Sequence, residues 1–223
     1  MTSGREARAS RGLFLSFEGS EGSGKSTQMR LLVERLRGEG RRVIENQEPG
    51  GTAIGKQIRR ILLDPENGGM DGMAELLLMF ASRAQAAAEV IRPALGRGDI
   101  VVSDRFTDST LAYQGFGRGL GFDTVQAAHR LALGDLMPDL TIAIELDLQT
   151  GLERALRRNC GVGRDRLDEQ SLAFHHKVEE GYRKIAAAEP GRFQIVDGRG
   201  DPEQVAARVW TVVEGRLGSE QLS

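Results

Sequence analysis

The spacing of apolar and polar residues along the chain changes period several times, and each change predicts a new element. Short apolar runs predict five strands, at 13–18, 42–46, 99–103, 140–146 and 193–196. Apolar residues three or four apart predict helices between them, at 25–37, 54–62, 74–95, 123–134, 149–158, 169–188 and 202–217. Strands that alternate with helices are typical of right-handed βαβ units. The pattern therefore predicts an α/β fold, with a five-stranded, mainly parallel sheet and helices on both faces.

Length and composition narrow the class of protein. The chain has 223 residues, few enough for one core, so we expect a polar, disordered lead over 1–11 and one domain over 12–218. A formal net charge of −2 gives no general field for nucleic acid, and no apolar run suits a membrane span or a signal peptide. The single cysteine, Cys160, excludes an internal disulfide. We expect a cytoplasmic protein that binds neither nucleic acid nor membrane.

Residues 19–26 read GSEGSGKS and match the phosphate-binding pattern G-x-x-x-x-G-K-[ST] in full. The motif follows a predicted strand and opens a predicted helix, as a P-loop requires. Its backbone amides and the helix N-terminus attract phosphate oxygens. We expect Lys25 on the β- and γ-phosphates and the Ser26 hydroxyl on Mg²⁺. The predicted triphosphate site comprises Gly19, Ser20, Glu21, Gly22, Ser23, Gly24, Lys25, Ser26 and Thr27.

Asp104 and Arg105 come directly after the predicted strand 99–103. An aspartate at that place can hold the Mg²⁺ shell from the side opposite Ser26. The arginine presents a bidentate donor at the sheet edge where phosphates bind. Alone, such a pair is more often a simple ion pair, but beside a P-loop a functional site is favoured. The chain has no N-K-x-D motif, with which GTPases read the base.

Five further segments resemble thymidylate kinase of the bacterial type. They are EPGGT at 48–52, ELLLMFASRAQ at 75–85, DRFTDSTLAYQG at 104–115, PDL at 138–140 and DRLDEQS at 165–171. The resemblance extends from about residue 13 to 217. It implies a P-loop three-layer α/β kinase with a short lid, at about 157–168. That family transfers the γ-phosphoryl group of ATP to dTMP, requires Mg²⁺ and is usually a homodimer.

The resemblance also implies roles for single residues in the acceptor site. Glu21 matches a carboxylate aimed at the sugar 3′-hydroxyl, and Arg59 and Arg105 match the arginines on the 5′-phosphate. The remaining matches concern the base and the sugar: Arg83, Thr110 and Gln114 at the base edges, and Tyr113 under the deoxyribose. From the residues alone, Arg59 is equally well a surface arginine like its neighbour Arg60.

The chain departs from the family pattern at three places. Gln47 replaces a usual arginine before EPGGT. The aromatic residue that stacks on thymine is replaced by Met79, so either Met79 or Phe80 packs on the base. The lid is longer than usual, and it must supply a cation because the P-loop contains no arginine. Arg158 is the best candidate, with Arg157, Arg164 and Arg166 as the other lid arginines, so the predicted catalytic residues are Lys25, Arg105, Arg158 and Arg164.

Two other functions compete with this interpretation. One is a nucleotide-dependent switch that binds ATP without an acceptor, but such a protein has no use for a second phosphate-and-base site. The other is a kinase for a different acceptor, such as a deoxynucleoside, whose site requires no arginines for a phosphate.

Overall fold

The computed structural model describes residues 11–158, 166 and 170–220, and the described strands form one sheet. The strands are β1 (Phe14–Glu18), β2 (Val43–Gln47), β3 (Ile100–Asp104), β4 (Leu140–Glu145) and β5 (Phe193–Asp197). Their order is β2-β3-β1-β4-β5, and every neighbouring pair is parallel. The predicted five-stranded parallel sheet is confirmed.

The helices pack on both faces of this sheet. They are α1 (Lys25–Gly38), α2 (Ala53–Leu63), α3 (Gly72–Ala86), α4 (Arg92–Gly96), α5 (Thr107–Thr110), α6 (Phe122–Leu133), α7 (Leu148–Arg158), α8 (Leu172–Ala188) and α9 (Pro202–Glu220). The predicted helix 74–95 is present, but a π-helical turn over Ala87–Ile91 interrupts it and joins α3 to α4. Pro93, which has no N–H, lies in the first turn of α4, directly after this π-helical turn.

The core has two layers because side chains alternate across the sheet. Phe14 of β1 packs with residues of α3, α6 and α8 on one face. Leu15 and Phe17 of the same strand pack with α1 and α9 on the other. Such double-sided burial explains the nearly continuous apolar runs in the strands. None of the described helices is both long enough and apolar enough to cross a membrane.

The P-loop and Asp104 lie close together at the carboxyl edge of the sheet. Central β1 pairs with β3 on one side and with β4 on the other, so the direction of strand order changes there. Ligands of open parallel sheets bind at such a point. Gln47 and Phe17 both lie in register with Asp104, and the P-loop leaves the sheet directly after Glu18.

Candidate active site

Glycines give the loop between β1 and α1 its shape. Gly19 has a φ of 131°, and a Cβ there would lie 2.5 Å from the carbonyl oxygen of Ile144. Gly24 has a φ of 99° and caps α1 without a side chain, so no cap side chain occupies the first amides of the helix. The loop thus has the backbone of an anion-binding site at a helix N-terminus.

Lys25 lies inside this loop. Its Nζ donates hydrogen bonds to the carbonyl oxygens of Gly19 and Ser20, at 2.9 and 2.8 Å. Burial, together with the charge of Arg105, lowers the pKa of Lys25 to about 8. An anion in the loop would favour the charged form of Lys25 and raise that pKa again.

Ser26 and Asp104 line one open cleft beside the P-loop, which we call the outer cleft. Kinases usually hold Mg²⁺ with one or two protein oxygens together with water and substrate phosphates. A hydroxyl from α1 and a carboxylate from the end of β3 fit that set. Gln47 lines the same cleft, next to Asp104 on the neighbouring strand, so the departure from the family pattern concerns this side of the site.

A second cleft, which we call the arginine cleft, contains about 530 Å³ of space between its walls, part of it open to solvent. Its walls come from the P-loop, the β2–α2 loop, α2, α3, α5 and the π-helical segment Leu111–Gly117. The lining residues are Glu21, Glu48, Pro49, Arg59, Leu63, Met79, Arg83, Arg105, Ser109, Thr110, Tyr113 and Gln114. Three cations thus face one space that also borders the P-loop.

Arg105 lines the arginine cleft and also contacts the P-loop. Its Nη2 lies 2.5 Å from Oε1 of Glu21, and its Nη1 donates to the carbonyl oxygen of Gly19 at 3.2 Å. The guanidinium carbon lies 5.0 Å from the ring centroid of Tyr113. Burial raises the pKa of Tyr113 to about 12, so its hydroxyl is protonated at neutral pH. Arg105 thus forms an ion pair with the P-loop carboxylate.

Arg83 occupies the inner wall of the arginine cleft and is 1% exposed. Its Nη1 donates to Oγ1 of Thr110 at 2.9 Å, and its guanidinium carbon lies 5.2 Å from the ring centroid of Phe80. Its Nε lies 3.9 Å from Oε2 of Glu48, and neither atom has a hydrogen-bond partner among the described residues. Burial raises the pKa of Glu48 to about 6. This wall therefore offers an unsatisfied donor and an unsatisfied acceptor.

Glu75 of α3 lies behind the arginine cleft, next to the lining residue Gln114. Its buried carboxylate accepts a hydrogen bond from Nε2 of Gln114 at 2.7 Å and pairs with Arg118 and Arg166 at 3.0 and 2.5 Å. Burial acts to raise the pKa of Glu75, but the hydrogen bonds from Arg118, Gln114 and Arg166 outweigh burial and lower it. With Nε2 engaged, Gln114 has its Oε1 available for another group.

Comparisons with known proteins agree with this geometry. The family model described as thymidylate kinase matches residues 17–209. Thymidylate kinase of Solidesulfovibrio magneticus is 48% identical over 209 residues, 92% of this chain and 100% of that protein. The Synechococcus thymidylate kinase is 49% identical over 207 residues, 92% of this chain and 96% of that protein. The chain belongs to the thymidylate kinase family. The crystal structure of thymidylate kinase from Ehrlichia chaffeensis aligns with a TM-score of 0.75 at 30% identity, covering 91% of this chain and 99% of that one.

Several family positions lie together in the arginine cleft. Arg59 is half-buried and donates to the carbonyl oxygen of Pro49 at 2.8 Å, whereas Arg60 is exposed. Met79 lines the cleft. Phe80 lies in the core, edge-on to His129, and is not among the lining residues. The expectation that Phe80 contacts the base is therefore not supported by its position, because the next residue of a helix points about 100° away.

The predicted lid lies mostly outside the described residues. This holds for the whole of Arg164 and for the side chains of Arg157 and Arg158, so their catalytic role stays a prediction. Arg166 is described, and it is 4% exposed. Its Nε donates to the carbonyl oxygen of Leu62 at 2.9 Å, and its Nη2 pairs with Glu75. These contacts attach Arg166 to α2 and α3.

Sequence reasoning missed three buried carboxylates around the site: Glu18, Glu48 and Glu75. Each is a glutamate within an otherwise apolar or glycine-containing segment. A signal was present for Glu18 and Glu75, because a charged residue in a run that predicts a buried strand or helix face needs a partner. The sequence does not show which cation or donor that partner is.

Proposed function

We propose that this protein transfers the γ-phosphoryl group of ATP to dTMP, giving dTDP. The observation that carries the proposal is the position of the arginine cleft, which shares Glu21 and Arg105 with the edge of the P-loop. A phosphate held in that cleft lies next to a triphosphate held by the loop. Phosphoryl transfer requires the donor phosphate and the acceptor phosphate to lie this close together.

On the donor side, we assign residues 19–27 to the triphosphate, with Lys25 on the β- and γ-phosphates. Ser26 and Asp104 are the residues that would hold Mg²⁺, which neutralises charge on the phosphate oxygens when bound. The glycine turns preorganise the amides before the ligand arrives, so little free energy is lost in ordering the loop.

On the acceptor side, the half-buried Arg59 and the doubly anchored Arg105 suit the 5′-phosphate, because two guanidinium groups match a dianion. Arg83, Thr110 and Gln114 present donors and acceptors to a base, and Met79 offers an apolar, polarisable surface beside it. We assign Tyr113, whose hydroxyl lies 3.4 Å from Nη2 of Arg105, to the sugar, where its ring would disfavour a 2′-hydroxyl. Glu21 provides the acceptor for a sugar hydroxyl.

The acceptor phosphate is ionised at neutral pH, so no general base is required. Catalysis then depends on orientation and on cations near the transferred oxygens, which Lys25 and Arg105 supply. Arg158 and Arg164 are proposed as additional cations from the lid, on the evidence of the sequence pattern.

The decisive assay measures ADP formation from ATP and Mg²⁺ with a panel of acceptors. We expect turnover with dTMP, weaker turnover with dUMP and ribo-TMP, and little with dCMP or thymidine. Turnover with thymidine but not with dTMP would favour a deoxynucleoside kinase. ATP binding without turnover of any acceptor would favour a nucleotide-dependent switch, and either result would overturn the proposal.

The lowered pKa of Lys25 predicts a pH dependence of ATP binding. Below pH 8, Lys25 is already charged and the affinity should be constant. Above pH 8, binding must take up a proton, so the affinity should fall by up to about tenfold per pH unit. Calorimetric titration with ATP between pH 7 and 9.5 measures this slope. The matched titration of Lys25→Met should be weaker and flat, and an equal slope in that variant would contradict the assignment.

We propose a homodimer formed through α2 and α3, which pack against each other. Ile54 and Ile61 of α2 are 49% and 47% exposed, and Met73 and Leu77 of α3 are 40% and 55% exposed. Large apolar side chains on adjacent helices form a surface that association would cover. We also propose a cytoplasmic location, where ATP is available as the donor.

Leu77→Asp is expected to convert the dimer into a monomer. Each dimer would bury two copies of Leu77, and replacing both with a charge should weaken association by at least about 100-fold. Light scattering after size-exclusion chromatography measures the mass. Leu172→Asp, at an exposed leucine of α8, is the control and should leave the mass unchanged. An unchanged mass for Leu77→Asp would place the dimer face elsewhere.

A further inference from the structure

A buried carboxylate lies behind Arg105. Glu18, the last residue of β1, is fully buried and has no place in the proposed transfer chemistry. Each of its oxygens accepts hydrogen bonds from two donors. Oε1 accepts from Oγ of Ser16 at 3.0 Å and from the backbone N–H of Phe106 at 2.7 Å, and Oε2 accepts from Oγ of Ser109 and from the hydroxyl of Tyr182 at 3.1 Å.

Two of these donors also contact the guanidinium of Arg105. Its Nη1 lies 3.0 Å from Oγ of Ser109 and 3.4 Å from the hydroxyl of Tyr182. Two hydroxyl groups thus connect the guanidinium to the carboxylate of Glu18. Burial and the neighbouring charge of Asp108 raise the pKa of Glu18, and the charge of Arg105 opposes that shift.

Glu18 also fixes the backbone at this point. Arg105 has a φ of 70°, and among the described residues no other side-chain-bearing residue has a positive φ. This left-handed conformation is disfavoured for a residue with a Cβ and persists only where the surroundings hold it. The amide that follows Arg105 is that of Phe106, which donates to Glu18.

The two terminal nitrogens of the Arg105 guanidinium face different partners. Nη1 of Arg105 is held on the side of Glu18, whereas Nη2 points to Glu21 and to the hydroxyl of Tyr113, both in the arginine cleft. A guanidinium already fixed in the geometry of its complex loses less entropy when it binds an oxyanion. We infer that Glu18 is a positioning residue, which holds Arg105 in the orientation that binds the acceptor phosphate. This inference rests on the proposed function.

The test compares two ligands that differ only in the phosphate. The ratio of the Kd of thymidine to the Kd of dTMP measures what the phosphate adds to the affinity. In Glu18→Gln we expect this ratio to fall about tenfold, the scale of one charge-assisted hydrogen bond, while the Kd of thymidine stays constant. If Glu18 had a purely structural role, its replacement would change the affinities for thymidine and dTMP by the same factor.

Matched variants make the result specific. Asp99→Asn removes another buried carboxylate, paired with Arg97 at the opposite end of β3, and should change the melting temperature without changing the ratio. Tyr182→Phe removes one of the two connecting hydroxyls and should lower the ratio several-fold, and it decides the matter if Glu18→Gln does not fold. In an Arg105→Ala background, Glu18→Gln should have no further effect on the ratio.

The inference would be overturned by a wild-type ratio in folded Glu18→Gln, or by an equal effect of that change with and without Arg105. If the unmodified protein bound dTMP no more tightly than thymidine, the proposed acceptor site itself would be wrong. That outcome is visible before any variant is made, so the failure of the proposed function and the failure of the positioning role are distinguishable.

Discussion

Replacing Lys25 with methionine is expected to lower kcat for transfer from ATP to dTMP by at least about 100-fold, the scale of one lost electrostatic stabiliser. Lys25 is 7% exposed, and its Nζ already lies within the loop, on the carbonyl oxygens of Gly19 and Ser20. Methionine fills a similar volume but brings no charge to the phosphates. Steady-state kinetics with both substrates varied measures the effect, and far-UV circular dichroism should show an unchanged fold.

Lys177→Met is the control for the loss of a lysine as such, because Lys177 is an exposed residue of α8. Its kcat should stay within about twofold of the wild type, as for most surface substitutions. Near-normal turnover by Lys25→Met would mean that residues 19–27 do not hold the triphosphate of the donor.

The strands and most of the helices could be predicted from the sequence, since they depend on local patterns. The apolar run of β3 is buried on both faces, and each strand alternates with a helix whose apolar residues share one side. The P-loop was visible for the same reason, as its glycines and Lys25 are contiguous in the chain. The start of α9 is also set locally, because Asp201, directly before Pro202, accepts a hydrogen bond from the amide of Gln204.

The surroundings of Arg105 could not be predicted, because they come from separate parts of the chain. Asp104 and Arg105 after a strand indicate a site, but the sequence does not show that Glu18, Ser109 and Tyr182 meet there from β1, α5 and α8. Its positive φ is equally invisible, since glycine is the only residue type that signals it in a sequence. Long-range contacts of this kind follow from the packed fold and not from any local pattern.

The sequence left Met79 and Phe80 as alternatives for a related reason. Both side chains are buried, at 6% and 3% exposure, so the hydrophobic pattern treats them alike. What separates them is a rotation of about 100° along α3, which directs one to the arginine cleft and the other to the core. Hydrophobicity does not distinguish the wall of a ligand site from the interior.

Arg105→Ala is expected to lower kcat/KM for dTMP by a factor on the order of 10²–10³, with a higher KM and a lower kcat. Arg105 contacts Gly19 and Glu21 of the P-loop and also a hydroxyl that is hydrogen-bonded to Glu18, so its loss removes the phosphate contact and its support together. ATP affinity should change only a few-fold. Arg60→Ala, at an exposed arginine of α2, is the control and should behave like the wild type.

Arg105→Gly separates the lost guanidinium from the backbone strain. Both variants lack the cation, so their kinetic losses should be the same. Glycine adopts a φ of 70° without the steric cost of a Cβ. The free energy of unfolding of Arg105→Gly should therefore exceed that of Arg105→Ala by up to about 1 kcal/mol. Denaturant titration measures this difference.

A fall in ATP affinity without a change in the KM of dTMP, in either variant, would assign Arg105 to the donor nucleotide instead. Equal stabilities would mean that the backbone at 105 is not held in the left-handed region.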